Sequence, residues 1–287
     1  MKELVVLSGK GGTGKTSLVG SFAVLASNKV LADCDVDAAN LHLILNPSNR
    51  QSHQFWSGQV ARIDENICTQ CGLCQQQCRF QAIAGYKIDR FSCEGCGLCY
   101  HICPERAVTM EDNMAGYWYI SDTKYGSLVH AKLGAAQENS GKLVATVRKQ
   151  ARLLAKQAER ALIISDGPPG IGCPAISSLS GADLALLVTE PSLSGIHDLE
   201  RIIGLCRHFR VLPIVCINKY DINEGNTVEI ERYCREQGIE VAGKLPFNNL
   251  VTEAIIKGLP VMEYSRNGFS NNIIRLWERV SALINKH

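Results

Sequence analysis

A glycine-rich loop containing two lysines lies near the start of the 287-residue chain and has the sequence Ser8-Gly9-Lys10-Gly11-Gly12-Thr13-Gly14-Lys15-Thr16. Glycines lack a Cβ atom, so successive backbone N–H groups of such a loop can surround a phosphate group at a helix N-terminus. We expect the Lys15 ammonium group to reach the β- and γ-phosphates and the Thr16 hydroxyl to bind Mg2+. The pattern therefore predicts a nucleoside triphosphate site formed by Gly9, Lys10, Gly11, Gly12, Thr13, Gly14, Lys15, Thr16 and Ser17.

Eight of the thirteen cysteines lie within residues 68–103 and form two runs with the same spacing, the second 25 positions after the first. Three cysteines on a tight loop can bind three corners of a cubane cluster, whereas the fourth reaches a neighbouring cluster, as in bacterial ferredoxins. Structural zinc sites, the alternative, use Cys-x2-Cys pairs without the third and fourth cysteines at these offsets. The spacing predicts two 4Fe-4S clusters, the first bound by Cys68, Cys71, Cys74 and Cys103 and the second by Cys93, Cys96, Cys99 and Cys78.

The elements that must position these residues follow from the distribution of apolar side chains. Short apolar runs typical of buried parallel strands occur at residues 4–7, 30–32, 161–164, 184–188 and 213–217. Helical spacing between these runs, for example at residues 142–160, predicts helices on both faces of the sheet. We expect an α/β fold built on a mostly parallel, twisted sheet flanked by helices.

This α/β pattern is interrupted where polar residues surround the cysteines, and no long strand or helix is expected there. The interruption predicts two domains. Residues 1–58 and 113–287 are expected to form a P-loop ATPase domain. Residues 59–112 are expected to form an inserted α+β ferredoxin-like domain with two clusters.

The earlier of the two loop lysines, Lys10, makes the loop similar to the deviant Walker A motif of the family that includes MinD, ParA, Mrp-type proteins and the nitrogenase iron protein. The resemblance implies that Lys10 contacts phosphate across an ATP-bound homodimer. It also implies that Asp35, in a switch I-like segment, positions the attacking water or the metal shell. Asp166, in a Walker B and switch II-like segment, would hold Mg2+ through water. The implied catalytic residues are thus Lys10, Lys15, Asp35 and Asp166.

A second recognition segment, Asn218-Lys219-Tyr220-Asp221, matches the N-x-x-D spacing with which GTPases bind guanine. The family resemblance implies instead that Asn218 contacts adenine and that a segment including Pro246 and Phe247 covers the base. The resemblance favours ATP, and GTP stays the alternative.

Three further features are open to more than one interpretation. Cys173 lies seven residues after Asp166, where the nitrogenase iron protein has a cluster-binding cysteine. No cysteine between Cys103 and Cys173 could supply that protein's second ligand, so a buried apolar cysteine is the preferred interpretation. His130 is interpreted as a proton-linked switch or, in preference, as a surface or capping histidine. The remaining cysteines fall in apparent strands or helices and are predicted to lie in the core: Cys34, Cys206, Cys216 and Cys234.

Composition excludes some classes of function. The formal net charge of +2 is spread along the chain without a basic block, so no nucleic-acid partner is predicted. No apolar run of about 18 residues and no signal peptide are evident, which predicts a cytoplasmic protein. The amphipathic segment 272–287 has few positive charges on its polar face and is expected to pack on its own domain and not on a membrane.

These patterns together predict an iron-sulfur ATPase in which ATP closes a homodimer and closure governs electron transfer with an unidentified redox partner. An ATP-dependent assembly or positioning factor with sensory or structural clusters is one alternative, with an assembly protein as its partner. An iron-sulfur cluster carrier is another.

Overall fold

The computed structural model describes residues 1–135, 137–266 and 268–286. Its strands are β1 (Lys2–Ser8), β2 (Lys29–Asp33), β3 (Ser48–Ile63), β4 (Ile83–Ala84), β5 (Lys87–Ile88), β6 (Val108–Thr123), β7 (Gly126–Leu133), β8 (Leu162–Pro169), β9 (Leu184–Thr189), β10 (Leu212–Asn218) and β11 (Glu240–Leu245). Its helices are α1 (Lys15–Leu25), α2 (Leu41–Leu45), α3 (Leu73–Gln77), α4 (Leu98–Ile102), α5 (Ser140–Gln157), α6 (Cys173–Leu179), α7 (Leu193–His208), α8 (Glu224–Glu236), α9 (Leu250–Ile256), α10 (Val261–Tyr264) and α11 (Gly268–Lys286).

Nine of these strands form one sheet in the order β11-β10-β9-β1-β8-β2-β7-β6-β3. The strands from β11 to β7 pair in parallel along this order. Every predicted apolar run lies in one of the parallel strands, which confirms the mostly parallel α/β sheet. Strands β7 and β11 were not among the predicted runs.

Burial on both faces of β1 explains why its apolar run is continuous. Leu4 and Val6 belong to a core with α1 and α11, whereas Val5 and Leu7 belong to a second core with α6, α7 and α8. A parallel strand covered on both sides has no exposed face that could accommodate a polar residue.

The chain divides into two compact units. One comprises residues 1–52, 118–132 and 140–287, and the other comprises residues 53–117 and 133–139. The second unit includes the whole of the predicted insertion, extends beyond both its ends, and takes in a short segment that the prediction gave to the ATPase domain.

Strands β3 and β6, each 16 residues long, reach into residues 59–112, where no long strand was evident from the sequence. Only four of the sixteen residues of β6 are buried, and its exposed and half-buried positions hold both polar and apolar side chains. A strand with one solvated face lacks the continuous apolar run by which the parallel strands were recognised.

The C-terminal helix α11 packs on its own unit as predicted. Its buried side chains join the core that also contains α1: Phe269, Ile273, Leu276, Val280, Leu283 and Ile284. Trp277 is half-buried, and its ring lies 4.9 Å from that of Phe22. Within the described ranges, none of the helices has the length and apolar character needed to cross a membrane.

Candidate functional site

The glycine-rich loop connects the end of β1 to the start of α1. Gly14 is the N-cap of α1 and has a left-handed backbone with φ of 89°. A Cβ atom at this position would lie 2.4 Å from the side-chain nitrogen of Asn218. Glycine is therefore required here for two reasons, the backbone conformation and the close approach of Asn218.

Lys15, the first residue of α1, lies among carboxylates from the two neighbouring strands. Its Nζ atom donates a hydrogen bond of 2.7 Å to Asp166 on β8 and lies 4.0 Å from Asp35, just beyond β2. Asp33 pairs in register with Asp166 where β2 and β8 lie side by side. The carboxyl ends of parallel strands meet at one edge of the sheet, which brings these residues together.

The charged groups in this cluster shift one another's pKa values. Burial opposes the charge on Lys15, but the attraction and hydrogen bond from Asp166, with Asp35 and Asp33 nearby, raise its pKa above the ordinary value. Burial and then the charge of Asp166 raise the pKa of Asp33 well above its usual range. Burial likewise raises the pKa of Asp35 despite the attraction of Lys15. The cluster thus contains one ammonium group among three carboxyl groups.

Two groups in this cluster suit a hydrated Mg2+ ion. Asp166 is buried, and its second carboxylate oxygen, Oδ2, has no hydrogen-bond partner within the described part of the chain. The half-buried Thr16 lines the adjacent cleft. A carboxylate oxygen and a threonine hydroxyl are groups with which P-loop proteins hold hydrated Mg2+.

A cleft of about 690 Å3 adjoins the loop and is large enough for a nucleotide. It is lined by predicted site residues, namely Gly11, Gly12, Thr13, Gly14, Lys15, Thr16, Ser17, Asp35, Asn218, Pro246 and Phe247. It is also lined by Asn40, Lys219 and Asn248, which belong to the predicted switch I-like, N-x-x-D and base-covering segments. Residues for which the sequence indicated no role line it as well, including Leu43, Val251 and Ile255. Nothing in the sequences of α2 and α9 indicated that these two helices would border the cleft.

Gly9 and Lys10 are not among the residues that line the cleft. A Cβ atom on Gly9 would lie 2.3 Å from Cβ of Asp198 on α7, so this glycine is required by packing against α7. The Lys10 ammonium group lies 2.6 Å from a carboxylate oxygen of Glu190. The prediction that Lys10 reaches phosphate concerns a closed dimer and stays a prediction.

The first and last residues of the N-x-x-D segment, Asn218 and Asp221, each form a hydrogen bond that stabilises the fold. The Asn218 side-chain nitrogen donates a hydrogen bond of 2.7 Å to the carbonyl of Thr13, which ties β10 to the loop. The Asp221 carboxylate accepts a hydrogen bond of 2.7 Å from the backbone N–H of Phe247. The carboxylate that would recognise guanine is therefore engaged in positioning the segment predicted to cover the base.

The eight cysteines of the second unit line two small cavities. One, of about 20 Å3, is lined by Cys68, Cys71, Cys74 and Cys103. The other, of about 50 Å3, is lined by Cys78, Cys93, Cys96 and Cys99 and also by Cys74, which lines both cavities. The fourth cysteine of each run thus lies at the cavity that contains the first three cysteines of the other run.

The local backbone around these cysteines repeats as their sequence does. Helices α3 and α4 are each five residues long, begin after a left-handed glycine, and have a cysteine as the C-cap. Backbone N–H groups donate to the sulfur atoms of Cys68 and Cys103 at 3.4 and 3.3 Å. Within the described ranges, no group of three or more Cys, His, Asp or Glu side chains converges as a site for a single metal ion.

The other five cysteines differ in exposure. The four predicted core cysteines are buried, which confirms that interpretation: Cys34, Cys206, Cys216 and Cys234. Cys173, by contrast, is exposed at the first residue of α6, so the alternative of a buried apolar cysteine was wrong. The Gly-Cys-Pro sequence at this point forms the start of a helix at the surface and is not part of a buried strand.

His130 on β7 was expected at the surface or as a cap, and that expectation was wrong. The residue is only 7% exposed, its Nε2 atom lies 3.0 Å from the Ser121 hydroxyl, and its ring stacks on those of Tyr119 and His42. Burial, followed by the nearby His42, lowers the pKa of His130 to about 4. His42 belongs to α2, immediately after the switch I-like segment.

Because His130 is neutral in the fold but takes up a proton near pH 6.5 when unfolded, it contributes stability that is present above pH 6.5 and is lost as the pH falls towards 4. Between these values the wild type should lose about 2 to 3 kcal/mol more unfolding free energy than His130→Gln. Urea unfolding at a series of pH values measures the difference. Parallel pH profiles for the two proteins would contradict a buried, neutral His130.

Comparison with known proteins agrees with the geometry of the cleft. The family model of the CobQ/CobB/MinD/ParA nucleotide binding domain matches residues 4–261. An uncharacterized protein of Methanocaldococcus jannaschii is 32% identical over 285 residues, which cover 98% of this chain and 97% of that protein. The septum site-determining protein MinD of Bacillus subtilis is 23% identical over 275 residues, which cover 93% and 84%.

Solved structures agree at the level of the fold. MinD of Pyrococcus horikoshii, solved with Mg-ADP, superposes with a TM-score of 0.63 at 18% identity and covers 98% of this chain and 96% of its own. The family match over most of the chain, together with a glycine-rich loop, an acidic cluster and an adjoining cleft, leads to one assignment. The chain belongs to the CobQ/CobB/MinD/ParA family of nucleotide-binding proteins and has the α/β fold of a MinD/ParA-type P-loop ATPase.

Proposed function

We propose that the protein binds and hydrolyses ATP and couples nucleotide-driven closure of a homodimer to electron transfer with a redox partner through two 4Fe-4S clusters. The clusters would supply one-electron transfer. The chain's own residues would bind the clusters and nucleotide, exclude water and relay the nucleotide state.

The nucleotide part of the proposal is supported by residues that line the cleft and by Asp166, which is hydrogen-bonded to Lys15. Lys15 and the N-terminus of α1 present positive charge to the phosphates, and Asp166 has a carboxylate oxygen free for the hydration shell of Mg2+. Asp35 lies beside Lys15 and is half-buried, which suits a residue that orients a water molecule. Adenine is favoured over guanine because the Asp221 carboxylate is bonded to the backbone of Phe247.

The cluster part is carried by a single observation: in each of the two cavities of the second unit, the first three cysteines of one run lie together with the fourth cysteine of the other run, and Cys74 lines both cavities. This exchange of the fourth cysteine is the ligand pattern of two-cluster ferredoxins. Gly95, which has φ of 61°, would carry a Cβ atom 2.1 Å from the carbonyl oxygen of Gln59, so the loop follows the path that only glycine allows. Backbone N–H donors to two of the sulfurs would stabilise thiolates.

The coupling part is supported by the order of elements along the chain. The switch I-like segment at Asp35 is followed by α2 and then by β3, which continues into the second unit. A γ-phosphate that orders switch I therefore acts on the same stretch of chain that leads to the cysteines.

An assembly or positioning ATPase is the second candidate. Its support is the 23% identity to Bacillus subtilis MinD, a septum site-determining protein, over most of both chains. In that case ATP would control the docking of a partner protein, and the clusters would act as sensors or structural supports. Loss of the clusters would then change partner binding without altering any electron transfer.

The first experiment is isolation without oxygen, followed by determination of iron, sulfide and zinc and by spectra of the oxidised and reduced protein. We expect iron and sulfide in equal amounts and the broad visible absorption of 4Fe-4S clusters. A colourless protein containing zinc would contradict the cluster proposal.

Coupling is tested on the same preparation. Dithionite-reduced protein is mixed with benzyl viologen in the presence of Mg-ATP, Mg-ADP or no nucleotide, and cluster oxidation is followed by absorbance. We expect the rate with Mg-ATP to differ from the other two. Equal rates under all three conditions would refute coupling and leave the positioning function as the better candidate.

A further inference from the structure

Lys10 makes a dense set of polar contacts within its own chain. Its ammonium group lies 2.6 Å from Glu190, at the end of β9, and donates hydrogen bonds of 3.1 and 3.0 Å to the hydroxyls of Ser192 and Ser194. The Lys10 and Glu190 side chains are 31% and 21% exposed. A lysine at the front of a phosphate-binding loop is therefore held away from the cleft by three oxygen ligands.

The Glu190 carboxylate also binds a second lysine. Lys219, just after β10, lies 3.2 Å from the other Glu190 oxygen and donates a hydrogen bond of 3.2 Å to the carbonyl of Gly12 in the loop. Its backbone is left-handed, with φ of 56°, an uncommon conformation for a residue other than glycine. Glu190 is thus connected to the loop through Lys10 and through Lys219.

Two ammonium groups on one carboxylate resemble the way in which lysines surround a phosphate. Burial opposes the charge of Glu190, but the hydrogen bonds from Lys10 and Lys219 outweigh it and lower the pKa of the carboxyl group. The carboxylate is consequently ionised at neutral pH and occupies the position of an anion beside the loop. A stronger anion, such as a triphosphate, could displace it as the partner of Lys10.

We propose that Glu190 is a positioning residue that holds Lys10 within its own subunit until the triphosphate bound by a second copy of the chain takes its place. The inference rests on the proposed function, in which ATP closes a homodimer. Dimer closure then exchanges the contact between Lys10 and Glu190 for a contact between Lys10 and phosphate, so the strength of the first contact sets the nucleotide concentration needed for closure.

The test is the variant Glu190→Gln, which keeps the shape of the side chain and removes its charge. Dimerisation is followed by sedimentation velocity as Mg2+ and adenylyl imidodiphosphate, a non-hydrolysable ATP analogue, are added. Since the lost ion pair is partly exposed, we expect half-maximal dimerisation at a concentration about threefold to tenfold lower than in the wild type. The affinity of the monomer for ADP should change by less than about twofold, because the proposal involves no contact between Glu190 and the nucleotide.

Three further variants separate this effect from a general loosening of the loop. Lys10→Ala should abolish the effect of Glu190→Gln, so that the double variant behaves like Lys10→Ala alone. Lys219→Met removes the link to Gly12 but keeps Lys10 on Glu190, and it should not reproduce the gain. Glu236→Gln, at the exposed end of α8, is the matched control and should dimerise like the wild type.

The outcomes separate the two proposals. If the wild type dimerises with the analogue and Glu190→Gln does so equally or less readily, the role of Glu190 is wrong while ATP-driven closure stands. A gain in Lys219→Met as large as that in Glu190→Gln also overturns the role of Glu190. If neither the wild type nor Glu190→Gln dimerises with any nucleotide, both proposals fail.

Discussion

Lys15→Met is expected to lower ATP hydrolysis by about two to three orders of magnitude and, at the same time, to destabilise the nucleotide-free protein by about 3 kcal/mol. The first effect follows from losing the ammonium group that is proposed to reach the phosphates. The second follows because Lys15 is buried on Asp166 at 2.7 Å, and its removal leaves a buried carboxylate uncompensated. Phosphate release and urea unfolding measure the two effects.

The two effects are separable by further variants. In Lys15→Met/Asp166→Asn the uncompensated charge is removed, so at least about half of the lost stability should return without any return of activity. Lys2→Met is the matched control: Lys2 pairs with Asp183 at 3.2 Å, but both side chains are about one third exposed, and the cost should stay below about 1 kcal/mol. A Lys15→Met protein as stable as the wild type would contradict a strong buried ion pair.

The exchange of the fourth cysteines between the two cavities predicts an unusual pattern of iron loss. Wild-type protein reconstituted without oxygen should contain about eight irons per chain, and Cys78→Ala about four. Adding Cys96→Ala, which lines the same cavity as Cys78, should remove no further iron. Adding Cys71→Ala, which lines the other cavity, should remove nearly all of it.

Iron and sulfide analysis measures this pattern, and circular dichroism establishes that each variant is folded. Cys173→Ser serves as the control, because Cys173 lies outside both cavities, and it should retain all the iron. If Cys78→Ala/Cys71→Ala kept about four irons and Cys78→Ala/Cys96→Ala lost them all, each run would bind its own cluster. The proposed exchange of ligands would then be wrong.

Much of the fold was predictable because a parallel strand that is buried on both faces appears in the sequence as a continuous apolar run. Leu4 to Leu7 alternate between two cores, so all four must be apolar. Strands β3 and β6 were missed because polar residues interrupt their apolar residues, so neither contains a continuous run of aliphatic side chains. The burial of His130 was not predicted because it depends on stacking against His42 and Tyr119. His42 is distant in the sequence, and Tyr119 belongs to no recognised motif.

The candidate site was also predictable only in part. Asp35, Asp166 and Asn218 were expected near the loop from the family resemblance. In the fold, Asp35 lies just beyond β2 and Asn218 at the end of β10, whereas Asp166 lies within β8 beside the last residue of β2. Glu190 likewise lies at the end of β9 but gave no signal of its own. Its proposed role depends on its distances to Lys10 and Lys219, and no sequence motif indicates these distances.

The distribution of thiols described above has a practical consequence. Burial raises the pKa of Cys206 and of Cys216 to about 12 and that of Cys234 to about 11, so these groups stay protonated and shielded at neutral pH. When the eight ferredoxin-type sulfurs are occupied, Cys173 is the exposed thiol that is left for alkylating reagents. With the proposed clusters bound, Cys173, seven residues beyond Asp166, would serve as an attachment point for a fluorophore or spin label that follows nucleotide-dependent motion, without engineering a new cysteine.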